Sequence, residues 1–182
     1  MRAWTEELPV ESYPLLKLPA PIDYAPYYRD WVVHEREDDY WRQWKVSDHY
    51  SEMDVKGLHM GGWHDIFVKG SIRNFMGLKS SGPTLEVRQG QRMIIGPWAH
   101  AATSPEGKIG GVVFGKEALL DNGEMTLDWA DFALKGAPNQ FSKGAPVRIF
   151  VMGENKWREE QDFPLVRARS TKYYLRSTSP PG

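Results

Sequence analysis

Across residues 55–100 the apolar positions fall into two short runs separated by a helical stripe. Residues 55–60 form a run that stops at Gly61-Gly62, and Met93-Ile94-Ile95 form a second that stops at Gly96-Pro97. Between them Val68, Ile72, Phe75 and Met76 recur at i, i+4, i+7 and i+8, which gathers them on one face of a helix over residues 66–78. Gly70 inside that helix costs roughly 1 kcal/mol relative to Ala. Strand, helix, strand in this order predicts a parallel α/β layer.

The flanks carry other patterns. Pro9, Pro14, Pro19, Pro21 and Pro26 each remove a backbone donor, so residues 1–26 read as extended and irregular. Residues 27–50 return to helical spacing, with Tyr27, Trp31 and His34 on one stripe and Tyr40, Trp41 and Trp44 on a second. Asp38 and Asp39 precede the second stripe, where carboxylates cap free amides more often than they catalyse. Residues 101–123 read as a polar, glycine-rich loop. The strongest helix covers residues 125–134: Met125, Trp129 and Phe132 share a face, Asp121 or Asn122 can cap it, and Gly136 can close it. Beyond Pro138 the period shortens to two, with Val147, Ile149 and Val151 alternating against Arg148 and Phe150, and residues 172–176 predict a further strand. A strand without a following partner leaves an open edge, which domains normally pair or cover.

Composition narrows the function classes. The 23 basic and 24 acidic residues give a net charge of −1, so no basic surplus exists to follow a phosphate backbone, and nucleic acid is not an expected partner. No apolar run approaches the ~20 residues that span a bilayer, and residues 1–20 hold Glu6, Glu7 and Glu11 in place of a signal-peptide core. A cytoplasmic chain without membrane contact is the expectation. With no cysteine in 182 residues, disulfides, thiolate nucleophiles and Cys-based zinc sites are excluded together. Aromatic residues reach 13%, enough to build a core or, in part, a binding surface.

The chemistry gathers at two glycine-flanked elbows, Gly61-Gly62-Trp63-His64-Asp65 and Gly96-Pro97-Trp98-Ala99-His100. Each follows a predicted buried strand, so Asp65 and His100 would stand at the carboxyl ends of neighbouring strands, the edge where open α/β sheets seat their ligands. In that chain order they match the second and third members of a Ser…Asp…His triad. An imidazole takes the serine proton during attack, and a carboxylate fixes its tautomer and stabilises the imidazolium. The nucleophile is not found here. No serine has glycines at both −2 and +2; Ser71 falls inside the helix, and Ser80 and Ser81 precede Gly82 in a turn.

Three stretches carry a family resemblance: REDDYWRQWKVSDHYSEMDVKGLHMGGWHDIFVKGSIRNF (residues 36–75), GPWAH (residues 96–100) and VRIFVMGENKWREEQDFPL (residues 147–165). In this order they resemble the cocaine-esterase / X-Pro dipeptidyl-peptidase family of α/β-hydrolase serine hydrolases, over about residues 38–176. The resemblance implies a helical cap inserted in an α/β-hydrolase domain, followed by a jelly-roll β domain. It divides this chain into an extended segment and cap end (1–54), the C-terminal part of the hydrolase domain (55–140) and the first jelly-roll strands (141–182). It also implies hydrolysis of acyl esters, amides or X-Pro peptides without a cofactor, with Asp65 as triad acid, His100 as triad base, and Trp63, His64, Phe67 and Trp98 as the substrate-side wall. The family's serine elbow and oxyanion donors have no counterpart here, so the chain resembles an internal or C-terminal piece whose partners would be an upstream half of the same hydrolase, or further copies of itself.

Two other readings compete. The chain could be a binding or interaction module in which rings stack on a sugar or polypeptide and Asp65 and His100 are relics. His64, Asp65 and His100 could also ligate a metal, although neighbours on one loop seldom point at one ion, and no metal is expected. Hydrogen-bond reach between Asp65 and His100 separates the first reading from the relic.

Overall fold

The computed structural model describes residues 26–100 and 107–175, so the extended reading of residues 1–25 lies outside the described residues. The chain forms two compact units, Met1–Asp48 and His49–Gly182.

In the first unit the helical pattern that begins at residue 27 forms α1 (Pro26–Val33), α2 (Asp39–Arg42) and a 3-10 turn at Val46–Asp48, with α2 starting at the second stripe. The break between α1 and α2 has a local cause. Asp38 sits in extended backbone and accepts the Tyr40 amide at 3.0 Å, which starts a new helix. The Trp41 indole donates to the His34 carbonyl at 2.6 Å, satisfying an acceptor at the end of α1 that a continuing helix would have used. Asp39 pairs instead with Arg42 at 2.6 Å. Asp38 alone is therefore the cap.

The second unit is a mixed α/β sheet. Its elements are β1 (Leu58–Gly62), α3 (Val68–Ser81), α4 (Leu85–Gln89), β2 (Arg92–Gly96), β3 (Lys108–Ile109), β4 (Val112–Val113), α5 (Asn122–Lys135), α6 (Gln140–Lys143), β5 (Val147–Val151) and β6 (Lys156–Glu160). Four strands run in the order β1-β2-β5-β6, and β3-β4 form a separate hairpin. β1, β2 and β5 are parallel, with Gly62 opposite Gly96 and Ile95 opposite Ile149, and β6 returns antiparallel to β5.

Alternation along the strands divides the core. Met93, Ile95, Val147 and Ile149 meet Phe75 of α3 on one face, while Ile94 meets Met125 of α5 and Phe141 of α6 on the other. Fully burying a side chain such as Phe75 or Met93 contributes roughly 1.5–3 kcal/mol. α5 begins where Asp121 accepts the Gly123 and Glu124 amides at 2.9 and 3.0 Å, and it ends at Gly136 with φ +67°, a left-handed cap suited to glycine.

Three expectations change. The strands at 147–160, expected to open a separate β domain, lie in the same sheet as β1 and β2. Residues 171–175 form no strand; Tyr173, Tyr174 and Leu175 are 92%, 75% and 105% exposed, and a strand needs a ladder partner to persist. Within the span read as loop, the described residues hold the β3-β4 hairpin and a 3-10 turn at Lys116–Ala118. No helix among the described residues is long and apolar enough to cross a membrane.

Candidate active site

β1 and β2 end side by side, and the chain leaves each through a glycine. A Cβ at Gly62 would lie 2.0 Å from the Trp98 carbonyl oxygen, and one at Gly96 would lie 2.3 Å from the Trp98 indole. The two elbows thus approach to a distance only glycine permits. They are also hydrogen-bonded: the Trp63 amide donates to Gly96 O at 2.8 Å, and the His64 amide to Trp98 O at 3.0 Å.

From these turns Asp65 and His100 converge. Nδ1 of His100 lies 3.3 Å from Oδ1 and 3.4 Å from Oδ2 of Asp65. The Asp65 side chain is 13% exposed and that of His100 66%, so a sheltered carboxylate holds an open imidazole. Oδ1 also accepts the Phe67 amide at 2.8 Å, which fixes the carboxylate and delays the start of α3 to Val68, two residues beyond the predicted start. The Phe67 ring stands edge-on to the His100 ring, with centroids 4.8 Å apart. A dyad built this way can orient a base: with Nδ1 turned to the carboxylate, Nε2 is the nitrogen left for a substrate-side proton.

The other expected wall residues go elsewhere. The Trp63 indole donates to Phe150 O at 2.8 Å and its ring packs on the α3-side core. The Trp98 indole donates to Ala118 O at 2.8 Å and its ring packs on the opposite core. His64 turns toward Phe114, with ring centroids 5.9 Å apart, while Asp65 turns to His100. The trio weighed as metal ligands therefore does not converge, and among the described residues no group of three or more His, Cys, Asp or Glu side chains could hold a metal. A cavity of about 730 Å³ lies along α3 between Tyr50 and Phe163, and neither Asp65 nor His100 lines it.

Sequence reasoning missed Trp157 of β6, whose ring meets that of Trp98 with centroids 5.7 Å apart. A lone indole within the charged run Lys-Trp-Arg-Glu-Glu was the available signal.

Comparison with known proteins bears on this geometry. The model of the X-Pro dipeptidyl-peptidase (S15) family matches residues 6–102, more than half of the chain, including both elbows. The chain belongs to the S15 family. Cocaine esterase of Rhodococcus sp. (strain MB1 Bresler) is 30% identical to this S15 chain over 166 residues, covering 89% of it and 27% of the esterase. A protein named as a serine esterase in Mycobacterium bovis is 26% identical over 136 residues, 71% of this chain and 20% of its own length. The S15 chain thus spans about a quarter of the length of these relatives. The crystal structure of an aminopeptidase from a marine sediment Thaumarchaeota archaeon superposes with a TM-score of 0.60 at 22% identity, over 76% of this chain and 23% of that one, and shares the fold.

Proposed function

We propose that this S15 chain carries the acid and base of a serine hydrolase that cleaves acyl esters or amides, of the esterase or X-Pro dipeptidyl-peptidase type. The observation that carries the reading is the meeting of Asp65 and His100 at the carboxyl ends of two adjacent parallel strands. The separation of 3.3 Å is at the loose end of a hydrogen bond, as catalytic pairs often are before substrate binds. That reach, with the open imidazole, favours the hydrolase over a binding module in which the two residues are relics.

In this reading a serine and its oxyanion donors come from outside these 182 residues. The serine hydroxyl attacks the acyl carbonyl as His100 Nε2 takes its proton; Asp65 holds the Nδ1–H tautomer and stabilises the imidazolium. His100 then protonates the leaving alcohol or amine, and water releases the acyl group by the same steps with His100 again as base. Phe67, 57% exposed and edge-on to the base, offers an apolar wall to the acyl or leaving group. Among the chain's own serines, Ser71 points its hydroxyl to Met60 O at 3.0 Å and so is spent within the fold.

The outer side of β1 has no strand partner among the described residues, which suits pairing with an upstream half or a second copy of the chain. β5 and β6 stay in the hydrolase sheet, so the jelly-roll of this reading starts beyond residue 160; a cap end before residue 55 and a cytoplasmic location belong to the same proposal. A serine-directed fluorophosphonate should leave the isolated chain unlabelled, while mixing with an upstream polypeptide that carries Gly-x-Ser-x-Gly should restore esterase activity. Stoichiometric labelling of any serine in this chain would overturn the assignment of the nucleophile.

A further inference from the structure

Consecutive carbonyls of the 3-10 turn at Lys116–Ala118 receive two indoles: Trp157 donates to Glu117 O at 2.6 Å and Trp98 to Ala118 O at 2.8 Å. The Trp157 ring is itself held from two sides. The Arg148 guanidinium lies 4.7 Å from its centroid, and Phe150 meets it at 79° with centroids 5.4 Å apart. Trp98 is two residues from the base, and its carbonyl binds the His64 amide, one residue before the acid. A continuous set of contacts therefore runs from the C-terminal hairpin through the turn to both elbows.

We propose that Trp157 is a positioning residue for His100, acting through Trp98 and the carbonyls of Glu117 and Ala118. It touches neither member of the dyad, and its role rests on the reading of His100 as the base. The physical lever is the tautomer. A neutral imidazole in water prefers its proton on Nε2, and a carboxylate at Nδ1 reverses that preference and leaves Nε2 able to accept. At 3.3 Å the Asp65–His100 contact has little distance to spare, so a shift of a few tenths of an ångström at Trp98 decides whether it holds.

The test is a long-range ¹H–¹⁵N correlation spectrum of the ¹⁵N-labelled 182-residue chain at a pH where the imidazole is neutral. Wild type should show His100 mainly as the Nδ1–H tautomer. Trp157→Phe keeps an aromatic ring and removes the N–H, and should at least halve the Nδ1–H fraction; Trp98→Phe should act in the same direction. Trp129→Phe, a ring on the same face of the sheet, should leave the fraction unchanged. If Trp157→Phe keeps the wild-type tautomer while the Glu117 and Ala118 amide signals move, the turn is held without consequence for the base and the proposal falls. If wild type shows no preference for Nδ1–H, the reading of His100 as base fails first, independently of Trp157. Should Trp157→Phe not fold, Trp98→Phe decides by the same criterion.

Discussion

Among the described residues two His–Asp pairs form, and the shorter contact belongs to a helix cap, the longer to the strand-end elbows. His34 and Asp38 meet at 2.5 Å within the first unit, four residues apart, and the imidazole lies flat on Tyr40 with centroids 4.4 Å apart. Asp38 is held below its ordinary value, first by the His34 hydrogen bond, and its other oxygen caps α2. His100 and Asp65 are 35 residues apart in sequence and sit at 3.3 Å, brought together by two strand ends. His34 is half as exposed as His100 and its acid is open to solvent, whereas the His100 ring is backed by a sheltered acid. Contact length measures local packing; the asymmetry of exposure marks the pair suited to move a proton.

The sharpest way to break this comparison is to remove each imidazole in the reconstituted hydrolase. His100→Ala should lower kcat/KM for an activated ester by about 10⁴-fold, as loss of triad function does elsewhere. His34→Ala should change it by less than tenfold, and an equal loss from both would erase the distinction. A second test addresses the elbows. Gly62→Ala forces a Cβ to 2.0 Å from a backbone oxygen and should cost about 3 kcal/mol in urea unfolding. Gly61→Ala, whose nearest neighbour would be Ile95 Cδ1 at 3.4 Å, should stay within about 1 kcal/mol.

A third imidazole supplies a pH test. His59 of β1 hydrogen-bonds Gln91 at 3.0 Å, and burial pushes it below its ordinary value. Between about 6.5 and that lower value the unfolded chain binds more protons than the folded one. Stability is therefore complete above about pH 6.5 and declines as the pH drops below it. His59→Gln should flatten the decline in urea unfolding at stepped pH. Glu160, held low chiefly by Arg167, acts in a separate window: its contribution is present above about 4.5 and is lost on further acidification. The smallest effect is a gain. A Cβ at Gly70 of α3 meets nothing within 4 Å, so Gly70→Ala should stabilise by about 0.5–1 kcal/mol and raise the melting temperature.

What could be read from sequence was what depends on near neighbours. β1 and β2 show as apolar runs, α3 and α5 by their period, and Asp121, Gly136 and the two glycine elbows by turn chemistry, which together assign Asp65 and His100 to one sheet edge. The misses have physical causes as well. α4 and α6 have five and four residues, too few for a helical period to register. β6 hides its alternation among charges because it is an edge strand, where lysine and glutamate discourage further pairing. The turn at Lys116–Ala118 and its two indoles depend on carbonyls about 20 and 40 residues away, a distance no local pattern reports. The interruption after α1 depended on a tryptophan seven residues ahead taking a backbone oxygen.

The interlock of Gly62 with Trp98 has one more consequence. Because each elbow occupies space the other would need in order to move, neither can drift alone, and thermal motion or an arriving ligand must carry both as a single cassette. Any piece transplanted to set the proposed acid–base pair beneath a foreign nucleophile must accordingly bring both elbows and the Lys116–Ala118 turn that receives the Trp98 indole.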